Sequence, residues 1–371
     1  MRPWILKSGL LVAATLLSLA FAECAVRWLM PQELSIWSGR QDGLFVLQPG
    51  RRLESPRWGH EIVVNRLGFR GPEPSPRPPA ERPRVLMLGD SFIEAGQVAW
   101  SDSVSSRLAE ELERRGRPAE VLSAGVSGWG TDDVVQYLST DGMALEPDVI
   151  VVVVTLYNDL LDNLGQEFHR LEDGRLVHHD GARLDDRAYL DLRIKSFLSG
   201  HFHLYQLLRG VLRQGATGQA FSTLQDHWVE LLRAPPAPRI EQAFRLTEAL
   251  LEEATRLADA HDARLAVVLI PMEEQLGEER AREFLARHEV DRRSVDLEGP
   301  QRRLRDWGRR NGVDVIDLLD AFRADQLGGG APLYLENDGH WNERGHALAG
   351  AALADALMAR HLLDPPGRAR R

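Results

Sequence analysis

The chain has 371 residues, of which 43% are hydrophobic and 27% charged, and its formal net charge at pH 7 is −10. The composition is that of a globular protein, and the length suits one large α/β domain with appendages or two domains. The acidic balance, with no Lys/Arg stripe, argues against a nucleic-acid partner, and a single cysteine, Cys24, excludes an internal disulfide and any cysteine-based metal cage.

Arg2 and Lys7 precede the apolar run from Leu10 to Ala22. A basic flank before an apolar stretch reads as an export signal or a membrane anchor. Ser8 to Val26 nearly supplies the roughly 20 residues needed to cross a bilayer. Trp4 and Trp28 sit where interfacial aromatics are expected. Residues 1–29 are therefore read as an uncleaved anchor, with the rest of the chain extracytoplasmic (periplasmic). The competing reading is a secreted protein, because Ala20-Phe21-Ala22 satisfies the small-x-small rule for cleavage near Ala22. Glu23 stands where lipidation of Cys24 would want a small residue.

Residues 30–83 read as a spacer that rises from the membrane and packs on the main domain. Asn65 to Gly71 is turn-rich around Phe69. The stretch from Pro72 to Pro83 holds too many prolines for a helix or a central strand. From residue 84 strands and helices alternate. Val85–Leu88 is the first strand, Ser103–Arg115 an amphipathic helix with Gly116 as its C-cap, and Val121-Leu122 opens the second strand. Thr131 is expected to cap a helix over Asp132–Leu145. Val149–Leu156 is β-branched without alternation, as a strand buried on both faces should be. A long helix carrying Phe244 to Ala258, a strand at Leu265–Ile270, a short strand at Val313–Leu318 and a closing helix at Asn342–Leu363 complete the domain, 84–363. A basic tail, 364–371, follows. Residues 160–240 break the rhythm with helical fragments that stop at Pro235–Pro238, and read as an inserted helical cap near the mouth of the site. The fold class is α/β, three layers α/β/α on a mainly parallel sheet, with a helical insertion and an N-terminal transmembrane helix.

Gly89-Asp90-Ser91 closes the first strand and holds a hydroxyl at a strand tip, where open α/β sheets gather their reactive groups. A nucleophilic serine requires a base, oxyanion donors and usually a carboxylate that fixes the imidazole tautomer. His340, in Asn337-Asp338-Gly339-His340-Trp341-Asn342, lies on a loop that can reach over the strand ends. Gly128 follows the second strand, and Asn158 follows the third. Ser91 taken alone would serve as readily as a turn or helix cap, Gly128 as a turn residue, and Asn158 as an Asx-turn residue. Asp90 reads as a brace of the serine turn, Asp159 as a loop residue, and His346 as a helix-surface residue. His178-His179 and His201-Phe202-His203 lack the carboxylate spacing of a metal site. No metal and no cofactor is expected.

The order Gly-Asp-Ser, Gly, Asn-Asp, Asp-x-His resembles the SGNH/GDSL hydrolase family over roughly residues 84–362. The anchor, Gly68-Phe69-Arg70-Gly71 and the Asp338–Asn342 block are similar to an exported bacterial branch of it. The resemblance implies a flavodoxin-like fold, catalytic Ser91, His340 and Asp338, and an oxyanion hole of Ser91, Gly128 and Asn158. It implies ester hydrolysis or O-acyl transfer through an acyl-enzyme, on an acylated small molecule or polysaccharide of the cell envelope. Two departures stand out. Leu156 replaces the glycine of the family's Gly-x-Asn-Asp block, and Asn337 stands three before the histidine where an aspartate is usual. Either Asp338 orients His340 from a shifted loop, or Asn337 or a backbone carbonyl does. These departures also motivate a rival reading, a non-catalytic envelope protein that keeps the fold and binds a partner or polysaccharide. No Gly-x-Ser-x-Gly elbow occurs in the chain, which argues against a classical α/β-hydrolase.

Overall fold

The structure, a computed structural model, describes residues 3–76, 82–156, 158–165, 168–213, 228–336 and 338–364. Helix α1 (Pro3–Leu29) spans 27 residues, about 40 Å at 1.5 Å per residue. Its segment Lys7–Leu29 has a mean hydropathy of 2.0 and is unburied, so it is long and apolar enough to cross a membrane. The stretch read as a spacer carries two short antiparallel hairpins, β1 (Trp37–Gly39) with β2 (Phe45–Leu47) and β3 (Arg52–Glu54) with β4 (Glu61–Val63). Ile36, Leu44, Leu47, Ile62, Val64 and Phe69 from this segment are buried in the main core.

The central sheet has five strands. β5 (Arg84–Gly89) leads through α2 (Ser91–Glu94) and α3 (Val104–Arg114) to β6 (Glu120–Gly125). Next come α4 (Thr131–Thr140), β7 (Val149–Thr155) and the short α5 (Asp159–Asp162). An inserted hairpin follows, β8 (His169–Glu172) with β9 (Arg175–His178), then helices α6 (Asp186–His201) and α7 (His203–Arg213). The main domain resumes with α8 (Pro238–Ala260), β10 (Arg264–Ile270), α9 (Glu278–Arg287), α10 (Gly299–Asn311), β11 (Asp314–Asp317), α11 (Leu319–Leu327) and α12 (Glu343–Ala359). The strand order is β11-β10-β7-β5-β6, and every pair is parallel.

Side-chain alternation divides the core into two layers. Along β7, Val149, Val151 and Val153 meet α3, α11 and α12, whereas Ile150, Val152 and Val154 meet α4, α8 and α10. Burial on both faces explains why this strand reads as an unbroken β-branched run. The order places β5 between β6 and β7. The connection from β5 to β6 runs over one face and that from β6 to β7 over the other, which opens a crevice at the carboxyl end of β5.

Four local expectations change. Gly130, not Thr131, caps α4, and the helix stops at Thr140 before a 3-10 turn at Gly142–Leu145. Gly142 packs closely on Leu138 and Tyr137, so that a Cβ there would press on them and make them give by a few tenths of an ångström. Pro238 opens α8 rather than ending the preceding segment, as its fixed φ and missing N–H favour at a first helical position. The 160–240 insertion is not purely helical, since it begins with the β8–β9 hairpin; α6 packs on β1 and α7 on α1. His346 is 1% exposed instead of lying on a helix surface.

Gly125, at the end of β6, meets α2 backbone to backbone. A Cβ there would lie 2.4 Å from the Glu94 nitrogen and 2.6 Å from the Ile93 carbonyl carbon. Gly125→Ala is therefore expected to lower the unfolding free energy by about 1–3 kcal/mol, the usual cost of overpacking, in urea titrations of the full chain. An unchanged midpoint would contradict this contact.

Candidate active site

The site begins where β5 stops. Asp90 caps α2 by accepting the Phe92 N–H at 3.0 Å, and its carbonyl accepts the N–H groups of Ile93 and Glu94. Ser91 is the first residue of α2 and is half-buried, with Gly89 directly behind it. The opposite end of the turn is closed by Ala95 in the left-handed region, φ +54.

His340 comes from the loop between Tyr334 and α12. A bridge between Tyr334 and Trp341 closes that loop, and the Leu335 N–H donates to the His340 carbonyl at 2.8 Å. Trp341 fixes the loop against the serine turn. It is fully buried, with its ring 4.9 Å from Phe92 and 5.2 Å from Phe322. The result joins two segments 249 positions apart: His340 Nε2 lies 2.7 Å from Ser91 Oγ. On the other side of the ring, Nδ1 lies 2.6 Å from Asp338 Oδ1. The second oxygen, Oδ2, accepts from Arg57 Nη2 at 3.1 Å. Asn337, the alternative partner of the imidazole, lies outside the described residues.

Gly128 and Asn158 sit beyond the ends of β6 and β7, the two strands that flank β5. Gly128 has φ +88, is exposed, and has no atom within 4 Å of where a Cβ would lie, so its backbone is bare. Asn158 is half-buried, and its Nδ2 donates to Asp162 Oδ2 at 3.1 Å. That leaves the second amide hydrogen as the one that can reach a ligand. Leu156, in place of a glycine, is fully buried in the core.

Burial separates the acids around the site. Asp90 and Asp159 are both sequestered, and desolvation pushes both carboxyls above their usual range. The negative charge of Asp90 raises Asp159 further. Burial also raises Glu94, even though its carboxylate accepts the Ser127 N–H at 2.7 Å and the Trp37 indole N–H at 2.9 Å. Arg70, 1% exposed, donates to the carbonyls of Glu94, Ala95 and Val98 around the end of α2, and burial lowers it to about 10. Asp338 moves the other way. The hydrogen bond with His340 holds it below the usual carboxylate range against partial desolvation, and the Arg57 charge assists. Burial lowers His346 to about 3, and its Nδ1 accepts the Val104 N–H at 3.2 Å, so it stays neutral.

A cavity of about 470 Å³ opens beside Gly128. Its walls come from β1–β2 (Gly43, Phe45), the loop after β6 (Ser127 to Trp129) and the insertion (Phe168, Ala182). No group of three or more His, Cys, Asp or Glu suited to a metal occurs among the described residues. His178 contacts Gln136, and His203 accepts the Gln32 N–H.

The roles of Arg57, Arg70 and Glu94 escaped the sequence reading, in which Arg70 figured only as part of Gly68-Phe69-Arg70-Gly71. Arg57 lies in a polar hairpin turn 281 positions from its partner, and nothing local marks it. An acid in Ser91-Phe92-Ile93-Glu94-Ala95, a short apolar turn, was the available signal for Glu94.

A family model described as the GDSL-like Lipase/Acylhydrolase family matches residues 87–348. No curated protein matches the chain. Among solved structures the chain is similar to a catalytic mutant of Axe2, an acetylxylan esterase from Geobacillus stearothermophilus. That match has 12% identity and a TM-score of 0.41, covering 74% of this chain and 94% of the other. The chain is also similar to the acetyl xylan esterase AlAXEase, with 14% identity and a TM-score of 0.40 over 75% of this chain and 98% of the other.

The contacts of Asp338 order the causes of its low pKa. Its carboxyl carbon in NMR titrations is expected to move below the unperturbed value of about 3.9. In Arg57→Ala the midpoint should rise only part of the way back, because the His340 bond is the larger cause. Asp338 therefore contributes stability above its unfolded pKa, and loses it as pH falls through the folded value. Full return to the unperturbed value in Arg57→Ala would reverse that ranking.

Proposed function

The chain belongs to the GDSL-like lipase/acylhydrolase family, and on that premise we propose that this ester-bond hydrolase works through an acyl-enzyme on Ser91. The observation that carries the reading is the unbroken relay from Ser91 Oγ to His340 Nε2 and from Nδ1 to Asp338. The Ser91 oxygen attacks the ester carbonyl while its proton passes to Nε2. Asp338 holds the Nδ1–H tautomer and offsets the imidazolium charge. The oxyanion takes the Ser91 N–H, an unpaired donor at a helix start, together with the Gly128 N–H and the free amide hydrogen of Asn158. One such donor is worth about 3 kcal/mol in the transition state. The alkoxide leaves with the proton from Nε2. A water, or a second alcohol, then gives its proton to Nε2 and attacks the acyl carbon, and the Ser91 Oγ–acyl bond breaks as Nε2 returns that proton to Oγ, giving hydrolysis or transfer.

The substrate is an O-acylated small molecule or polysaccharide of the cell envelope. The cavity beside Gly128, with Phe45 and Phe168 on its walls, is where the group next to the carbonyl would rest. α1 anchors the protein, with the catalytic domain on the extracytoplasmic side. The basic flank and interfacial tryptophans support that orientation.

A fluorophosphonate probe applied to the full chain in detergent is expected to label the peptide carrying Ser91, and Ser91→Ala should lose both the label and acetyl-ester hydrolysis. Label mapping to any other serine would overturn the assignment. Asp338→Asn should lower kcat by roughly 10⁴-fold while leaving the fold intact. Hydrolysis should fall along one acid limb as pH drops through the imidazole range, near ~6.5 when unperturbed. Asp338 remains ionised throughout that range because its pKa is depressed. A rate that stays flat from about pH 5 to 8 would remove His340 as the base.

A further inference from the structure

Helices α6 and α7 each expose a stripe of large apolar side chains, broad on α7 and on α6 narrow and flanked by the exposed Asp191, Arg193 and Lys195. On α6, Leu190, Ile194 and Phe197 recur at helical spacing and are all exposed. The side facing the protein carries Ser199 and Gly200, both buried, with Leu192 against Gly39 of β1. On α7, Leu208, Val211 and Leu212 form one exposed face, Leu212 at 87%. Gln206, on the other side of α7, donates to the Ser199 carbonyl at 2.9 Å. Phe202, also exposed, packs edge-on against Phe197 at 6.1 Å and joins the two stripes. Soluble surfaces rarely gather this many large apolar side chains in one patch.

The patch is tied to the membrane helix. Glu23 of α1 caps α7, accepting the His203 N–H at 3.0 Å and the Leu204 N–H at 2.8 Å. Arg27 of α1 donates to the His201 carbonyl at 3.0 Å, and the Gln32 N–H donates to His203 Nδ1 at 2.8 Å. These bonds hold the start of α7 beside the outer end of α1, where the apolar run of the anchor gives way to charge. An apolar helix face fixed at that height faces lipid.

We propose that the outward faces of α6 and α7 lie in the interface of the same bilayer that α1 crosses, so that the protein is held by one spanning helix and one monotopic helical pair. The inference rests on the anchor reading of α1. Its physical basis is that an interfacial helix turns its apolar face into the acyl boundary while polar groups face away. Here the groups facing away are bonded to the protein. The pair also fixes orientation. A single spanning helix leaves a domain free to tilt and rotate, whereas a second contact, joined to α1 through Glu23 and to β1 through α6, does not.

The test uses full-length protein carrying Cys24→Ser, reconstituted into vesicles of phosphatidylethanolamine and phosphatidylglycerol. Single cysteines at Leu16→Cys, Phe197→Cys, Leu212→Cys and Arg293→Cys are labelled with an environment-sensitive fluorophore. Quenching is read with lipids that carry a nitroxide on the acyl chain. Leu16 reports the anchor, and the exposed, charged position of Arg293 reports water. The expected result is blue-shifted, quenched emission at Leu16, Phe197 and Leu212, with water-like emission at Arg293. Quenching at Leu16 with water-like emission at Phe197 or Leu212 overturns the interfacial pair and leaves the anchor standing. Water-like emission at Leu16 overturns both.

Discussion

The single helical turn that carries the proposed nucleophile, Ser91, cannot hold itself. Four residues from Ser91 to Glu94 close too few internal hydrogen bonds to offset the entropy of fixing them. Their geometry is imposed from outside. Gly125 lets strand β6 press directly on the backbone of Ile93 and Glu94. Asp90 satisfies the N–H end, and the buried Arg70 guanidinium gathers carbonyls at the other. Glu94 then passes the constraint on, because its carboxylate holds the Ser127 N–H immediately before Gly128. Serine turn and candidate oxyanion loop are thus fixed by one buried acid, while Phe92 against Trp341 brings in the histidine loop.

The same arrangement separates the roles of chemically identical groups. Asp90, Asp159 and Glu94 are all pushed upward by burial. Asp338 is held down, because it bonds the imidazole on one side and Arg57 on the other. An acid meant to stay ionised beside an imidazole needs that environment. His346 shows the complementary case. It lies near the site but is so thoroughly desolvated that it stays uncharged, and its Nδ1 is already occupied by a backbone N–H.

Much of the framework was legible because it depends on local pattern. Val149–Val154 could be read as a central strand since burial on both faces demands an unbroken apolar run. Ser91 and His340 could be paired because their blocks follow the strand ends in a recognisable order. The choice of Asp338 as the imidazole partner depends instead on the turn around Gly339, at φ +84, and on Leu335 accepting N–H groups from Asp338 and Gly339. Loop conformation of that kind is not encoded in residue spacing. The hairpins of residues 37–63 were equally hidden. Their strands are three residues long, and their burial is supplied by elements far along the chain. Arg57 and Arg70 acquire meaning only from distant partners.

The segment that follows α1 is accordingly part of the main domain in a physical sense. Ser35 bonds the carbonyl of Ser199 on α6, Trp37 bonds Glu94, Arg57 bonds Asp338, and Arg70 bonds the end of α2. Each contact reaches either the helical pair beside α1 or a different part of the candidate site. The Arg70 and Ser35 bonds are buried and the Trp37–Glu94 bond half-buried, whereas the Arg57–Asp338 pair is exposed. A tilt of α1 relative to the sheet would break the bonds that Glu23, Arg27 and Gln32 make to residues 201–204, each worth about 0.5–1.5 kcal/mol. A flexible tether would allow that motion freely. Residues 32–70 instead link the end of α1 and the candidate site through one continuous set of contacts.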